Sequence, residues 1–444
     1  MRAARLAYAA MGLVLGCSVG IDPDASGWPP GGGIDPWDDG GETEAYDDDD
    51  DDDDDEGGDE SHGTAEDGGV GDWGTGGGGD DGGPDGPMLP DLDCDPQPPW
   101  YIPGAPLTND PSEHGQWRWI EVDGMVCADG SQGGFFASSS ADPRDLLIFF
   151  GGGGVCYDFL SCTLDTPLLL GMGPAPLATW LGDAQSHSGV FDRNDPSNPF
   201  RDANIAYFPH CTGDGHTADK ISSYPILSDL HQRGYANVQR ALTVLGPTFE
   251  DAERVTVAGF SAGGIGSLAN YHQIAWLFEC LGHPPPLLIN DAGPVLRKPH
   301  LSDHAQQSLR EGWGLDETFD DLCPECGNDG YHLALQRIRE LHPGARTSLV
   351  VAYGDTIVRD LYAALRLDPG FASDPHALRA GLLDYASWTA GLPDPDGTTR
   401  HREFFYPSER HGALVVAPLA HTPGLAEFLQ AQVDDAPGWS NVHP

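Results

Sequence analysis

Positive charge is scarce in this chain, with 22 Lys and Arg against 70 Asp and Glu in 444 residues, a formal net charge of −48. After Arg5 no Lys or Arg occurs until Arg118. A chain so poor in cations cannot neutralise a run of phosphates, so nucleic acid is excluded from the expected partners. The N-terminal apolar stretch after Arg2 and Arg5 ends at Leu15, ahead of Gly16-Cys17, too short to span a bilayer and stay there. No Gly-Lys-Ser/Thr follows the glycine run Gly151 to Gly154, which disfavours a phosphate cradle. No second Cys or His pair stands at ligand spacing from Cys323-Pro-Glu-Cys326, so a structural bridge is favoured there over a zinc or redox motif. No metal and no organic cofactor is expected.

What the N-terminus does have is the pattern of an export signal over residues 1–17. Val14-Leu15-Gly16-Cys17 also resembles a bacterial lipobox, in which the Cys is lipidated and begins the mature chain, so Cys17 is the candidate lipidation site. An ordinary signal peptide that happens to contain a Cys is the alternative. A secreted protein or a cell-surface, outer-membrane lipoprotein is expected, touching membrane only through that lipid. The eight cysteines besides Cys17 then suit an oxidising compartment.

Residues 18–93 are rich in Gly, Asp, Pro and Glu and include nine consecutive aspartates, Asp47 to Asp55. Dense like charge with little apolar surface cannot offset the entropy of ordering, which predicts a disordered acidic tether. The Gly-Gly-Asp patches near Gly77 to Asp85 lack the interleaved apolar residues and fixed period of a calcium-binding repeat.

From Cys94 to the end, one folded domain of α/β class is expected, because short apolar runs alternate with glycine-rich turns and helical stretches. Leu146 to Phe150, Ile205 to Phe208, Val255 to Ala258 and Ser348 to Ala352 read as buried strands, with Leu287 to Asn290 a fifth. Asp229 to Leu245 and Ala262 to Phe278 have helical spacing. A mostly parallel sheet flanked by helices binds ligands beyond the carboxyl ends of its strands, which is where chemistry is sought.

Gly259-Phe260-Ser261-Ala262-Gly263 is G-x-S-x-G directly after an apolar run and before a helix. That context is the one in which the motif forms a strained turn presenting a nucleophilic serine, whereas alone it is often only a helix cap. In such folds an acid and then a histidine follow the serine along the chain. Asp355 comes straight after the strand Ser348 to Ala352, the place for the orienting acid, although Gly354-Asp355 also suits a simple turn. His411, in a loop after the aromatic run Phe404 to Tyr406, is the expected base; His401 and His421 remain alternatives. Backbone N–H groups of the Gly151 to Gly154 run and of Ala262 are candidates for an oxyanion hole.

Six blocks in order, GGGGVCYDFLSC at 151–162, NPF at 198–200, FPHCTGDGH at 208–216, GFSAGG at 259–264, NDAGP at 290–294 and PSERHG at 407–412, resemble the pectin acetylesterase family, which includes the Notum carboxylesterases. The likeness runs over roughly residues 115 to 420. It implies an α/β-hydrolase-like serine esterase with Ser261, Asp355 and His411 as triad and Gly153, Gly154 and Ala262 as oxyanion hole. It also implies the disulfides Cys127 to Cys211 and Cys156 to Cys162. Where the family carries an aromatic residue within the glycine block, this chain has Gly154-Val155, which opens the acyl side of the pocket. Where the family often has a Cys ahead of the histidine, Glu409 stands.

Of the 70 acidic residues, 28 lie in the first 95 positions beside two Arg, which leaves the rest of the chain acidic by 22. Such a surface repels polyanions at low salt. The resemblance implies a small-molecule or carbohydrate ester as substrate, most simply an O-acetyl ester, and the charge gives acetylated neutral sugars or lipid-like acyl esters equal weight with acetylated pectin; the protein is expected to be monomeric. A lipase-like or polyester carboxylesterase is the alternative within enzymes. A non-catalytic surface binding module on a hydrolase scaffold is the alternative outside them.

Overall fold

The computed structural model describes Cys94 and residues 97–443, apart from 143, 165–181, 226, 320–321 and 393. The expected export signal, Cys17 and the acidic tether lie outside the described residues. Among the described residues ten strands form: β1 (Trp117–Val126), β2 (Gln132–Ser138), β3 (Asp145–Phe150), β4 (Asn204–Phe208), β5 (Lys220–Tyr224), β6 (Leu227–Gln232), β7 (Arg254–Phe260), β8 (Leu287–Asp291), β9 (Thr347–Ala352) and β10 (His401–Tyr406). Eight of them make one sheet in the order β1-β2-β4-β3-β7-β8-β9-β10, while β5 and β6 pair as a separate antiparallel hairpin.

From β4 to β10 every neighbouring pair in the large sheet is parallel, and β2 runs against both β1 and β4. Strands of sequence DLLIFF, NIAYF and TSLVVA are buried along almost their whole length, as a parallel sheet covered by helices on both faces demands. Stacked rings of Phe135, Phe208 and Phe150 fill one side where β2, β4 and β3 adjoin. The long helix Ala262–Cys280 packs beneath β3, β7 and β8 and is buried nearly all round, with Tyr271, Ile274, Leu277 and Phe278 in the core. This is the mostly parallel sheet flanked by helices that the alternation of apolar runs predicts, and the α/β-hydrolase-like architecture that the resemblance implies.

One expected element is different. The helical spacing of Asp229 to Leu245 begins too early: Leu227–Gln232 is a strand and the helix spans Gly234–Thr248. Leu230 pairs with Ser222 across the hairpin, and Asp229 takes a left-handed φ of 54°. The helix starts where the Gly234 N–H reaches the buried Asp214 carboxylate, at 2.8 Å.

Among the described residues four disulfides form: Cys94–Cys280, Cys127–Cys211, Cys156–Cys162 and Cys323–Cys326. The second and third are the pairs that the family resemblance implies. The fourth is a structural bridge rather than an open dithiol. Among the described residues no helix is long and apolar enough to cross a membrane.

Candidate active site

β3 and β7 are adjacent, with Phe150 opposite Gly259, so the chain leaves both strands side by side. The crossovers diverge here, β3 leading to β4 on one flank and β7 to β8 on the other, which opens a crevice at the carboxyl ends. After β7 the backbone turns abruptly into the helix Ala262–Cys280, and Ser261 takes φ 59° and ψ −122°. A non-glycine residue in that region costs about 1–3 kcal/mol and persists only where the surroundings impose it. They do so through close packing: a Cβ on Gly259 would lie 1.9 Å from the Gly263 carbonyl oxygen, and one on Gly263 would lie 2.0 Å from that of Phe150. The Ser261 N–H donates to the Asp291 carbonyl at 2.7 Å, which ties the elbow to the end of β8.

The structure brings Ser261, Asp355 and His411 together. The Ser261 hydroxyl lies 2.7 Å from His411 Nε2, and His411 Nδ1 lies 3.0 and 2.9 Å from the two Asp355 carboxylate oxygens. Asp355 is fully buried and caps the helix Thr356–Arg366, its Oδ1 accepting the Val358 N–H at 3.0 Å. Helix geometry therefore fixes the carboxylate, the carboxylate fixes the imidazole with Nδ1 as donor, and Nε2 is left to accept from the serine. The Phe260 ring packs against His411 with centroids 4.9 Å apart. The other histidines lie elsewhere. His401 is buried at the start of β10 against Thr347 and Glu403, and His421 is exposed at the end of a short turn of helix, Leu419–His421.

The glycine run stands next to this array. It is Gly152 that abuts Ser261, since a Cβ on it would lie 2.9 Å from the Ser261 Cβ, while Gly153 is exposed and backed by His210. Ala262 is the first residue of its helix, where an N–H has no intrahelical acceptor and is free to meet developing negative charge.

Beneath the run lies a buried polar layer to which sequence reasoning assigned no role, although it quoted the block FPHCTGDGH. His216 Nε2 donates to the Gly151 carbonyl at 2.9 Å, and burial lowers its pKa to about 4, so it stays neutral. His210 Nε2 accepts the Gly215 N–H at 2.8 Å, which puts its proton on Nδ1, the atom facing Gly153. Burial, and then the neighbouring His216, hold His210 well below the usual histidine range. Asp214 gathers the Thr212 hydroxyl and the His216 and Gly234 N–H groups at 2.7, 3.0 and 2.8 Å.

Asp291, in NDAGP, is a second residue that no motif reasoning singled out. It is fully buried, and its carboxylate accepts the Ala413 N–H at 2.9 and 3.1 Å and the Leu414 N–H at 2.8 Å, just beyond His411. Burial pushes this carboxyl up to about 6, against the opposing pull of those N–H groups.

Comparison with known proteins relates part of the chain to esterases. Residues 118–318 match the family model described as pectinacetylesterase. The palmitoleoyl-protein carboxylesterase notum1' of Xenopus laevis is 30% identical over 164 residues, covering 36% of this chain and 32% of that protein. The human palmitoleoyl-protein carboxylesterase NOTUM is 29% identical over 164 residues, with the same shares, and the mouse protein 28% over 166 residues, 36% and 31%. The matched part thus amounts to about a third of the length of these relatives. Asp355 and His411 lie beyond the segment matched to the family. That segment, which carries the glycine run, the Ser261 elbow and Asp291, is similar to the pectinacetylesterase family.

Proposed function

We propose that this protein is a serine carboxylic-ester hydrolase working by acyl transfer. The observation that carries the reading is the hydrogen-bonded series from Ser261 through His411 to Asp355, set on an elbow beside a glycine run. In the first step the Ser261 oxygen attacks the ester carbonyl carbon while His411 Nε2 takes the hydroxyl proton. N–H groups of Gly153, Gly154 and Ala262 receive the oxyanion. As the intermediate collapses, the imidazolium returns that proton to the departing alcohol and leaves an acyl-serine. Water, deprotonated by His411, then releases the acid and restores the serine. Throughout, Asp355 holds the imidazole orientation and balances its transient charge.

For substrate we propose O-acetyl esters of carbohydrate, with neutral acetylated sugars preferred over de-esterified polyuronides, which the acidic surface repels. A longer-acyl esterase is the second reading. It is favoured by the names of the palmitoleoyl-protein carboxylesterase relatives and by Gly154-Val155, which narrows the acyl side less than an aromatic residue would. The four disulfides fit a compartment outside the reducing cytosol, and we place the protein there as a monomer, anchored through a lipid on Cys17.

Hydrolysis of p-nitrophenyl esters from acetate to longer acyl chains tests the activity. Acetate is expected to be the best substrate, with Ser261→Ala losing at least about 10³-fold. A rise toward longer chains transfers the substrate assignment to the second reading. An inert folded parent, or an undiminished Ser261→Ala variant, overturns the esterase reading in favour of a binding module. Mass spectrometry of the mature N-terminus checks the anchor, since an unmodified start beyond Cys17 rules it out.

A further inference from the structure

The loop that carries His411 has neither helix nor strand of its own between Tyr406 and Leu419. Hydrogen bonds on either side of the histidine hold its course, among them the Val190 N–H to the Leu414 carbonyl at 2.8 Å. Before the histidine, the carbonyls of Ser408 and Glu409 accept the N–H groups of Gly354 and Thr356, at 3.0 and 3.4 Å, on either side of Asp355. After it, the Ala413 and Leu414 N–H groups end on the Asp291 carboxylate. Between these points Gly412 has φ 73° and lies on the Phe260 ring so closely that a Cβ would be 2.2 Å from Cε2. Asp291 meanwhile holds the nucleophile's backbone, its carbonyl accepting the Ser261 N–H at 2.7 Å. One buried residue at the end of β8 therefore grips the elbow with its main chain and the histidine loop with its side chain.

We propose that Asp291 is a positioning residue for the general base, setting the reach of His411 Nε2 to the Ser261 hydroxyl. The proposal rests on the serine-esterase reading above. Asp291 touches no reacting atom; it acts through His411. A neutral side chain without acceptors would leave two buried N–H groups unpaired and loosen the loop between His411 and Leu414, whose carbonyl stays bonded to Val190. The separation of 2.7 Å between base and nucleophile would then be lost while the substrate-facing glycine run stayed in place. The expected signature is a fall in kcat with KM nearly unchanged, because acyl transfer is impaired and binding is not.

The test compares Asp291→Ala and Asp291→Asn with the parent in the full chain, measuring kcat and KM on p-nitrophenyl acetate and counting functional sites by the acylation burst. Asn offers one acceptor oxygen, which at the Oδ2 position keeps the bonds of 2.9 and 2.8 Å. Ala is expected to lower kcat per functional site about 100-fold, the scale of an ångström-sized misplacement, and Asn about 10-fold. Should Ala fail to fold, the Asn variant decides alone. A kcat within threefold of the parent for a folded Ala variant, or an Asn variant equal to the parent, overturns the proposal, as does a rise in KM with kcat held. Ser261→Ala runs beside them: if it remains active, the esterase reading has failed, and if it is dead while Asp291→Ala is normal, only the positioning role has.

Discussion

Replacing Asp355 with asparagine separates two tasks performed by one carboxylate. Its Oδ1 accepts the Val358 N–H at 3.0 Å as a helix cap, and its Oδ2 lies 2.9 Å from His411 Nδ1. Asparagine caps helices as well as aspartate does, so its amide oxygen is expected to stay with Val358. The amide NH₂ then occupies the Oδ2 position and points a proton at Nδ1. Oδ1 also stands 3.0 Å from Nδ1, but with that oxygen committed to Val358 a neutral imidazole is expected to accept at Nδ1 from the NH₂ and to carry its proton on Nε2, where it donates to Ser261 instead of receiving from it. The base is blocked with its geometry intact. The expected loss in kcat/KM is about 10⁴-fold, the size seen for the wrong tautomer in a triad, or about 5.5 kcal/mol of transition-state stabilisation. Stability should change little. Asp355→Ala removes the cap as well, which costs about 1 kcal/mol. Kinetics on p-nitrophenyl acetate with calorimetry on both variants reads the two effects apart. Asparagine activity within tenfold of the parent would refute the reasoning, and so would a melting temperature that falls as far as that of Asp355→Ala.

Gly259→Ala is expected to cost more than about 3 kcal/mol, beyond the usual overpacking penalty, because its Cβ would meet the Gly263 backbone, which cannot swing aside. Gly438→Ala, with nothing within 4 Å, should stay within about 0.5 kcal/mol, and equal denaturant midpoints for the two would contradict the packing argument. Stability should be greatest above about pH 6.5 and decline toward pH 4. Burial lowers His216, His272 and His332 to about 4, so across that window the unfolded chain binds protons that the folded one refuses. For His216 alone this amounts to on the order of 3 kcal/mol; Asp291, raised to about 6, works the other way but is outnumbered. Urea midpoints from pH 7.5 to 4.5 check this, and a midpoint that rises on acidification contradicts it. Removing Cys94–Cys280, which bridges 186 positions, should cost about 2–5 kcal/mol, while removing Cys323–Cys326, which bridges three, should cost far less; urea melts of the two double serine variants give the comparison.

Local patterns in the sequence carried much of the fold. β3, β4, β7, β8 and β9 are mostly apolar runs whose ends agree with the expected strands to within one or two residues, because a strand covered on both faces admits few polar residues along its middle. The elbow was legible for a similar reason: its small residues, sharp turn and following helix all lie within a few positions of Ser261. Chain order in hydrolases of this type also singled out Asp355 and His411.

Contacts made at long range were not legible. Asp229 to Gln232 has helical spacing but joins a hairpin, since pairing with Lys220 to Tyr224 outweighs a weak local preference. The partner of Cys94 could not be read, because it lies 186 positions away and only folding brings Cys280 beside it. Asp291 and His216 are ordinary polar residues in their own neighbourhoods. They acquire importance only when β8 ends under the histidine loop and the 208–216 block folds beneath the glycine run, leaving each a set of buried backbone groups to satisfy. The sequence by itself determined the strands, the elbow and the kinds of residue available for chemistry. Tertiary structure alone decided which glycine abuts Ser261, which buried carboxylate holds the loop after His411 and how far apart Ser261, His411 and Asp355 stand, since those are set by packing between segments remote in the chain.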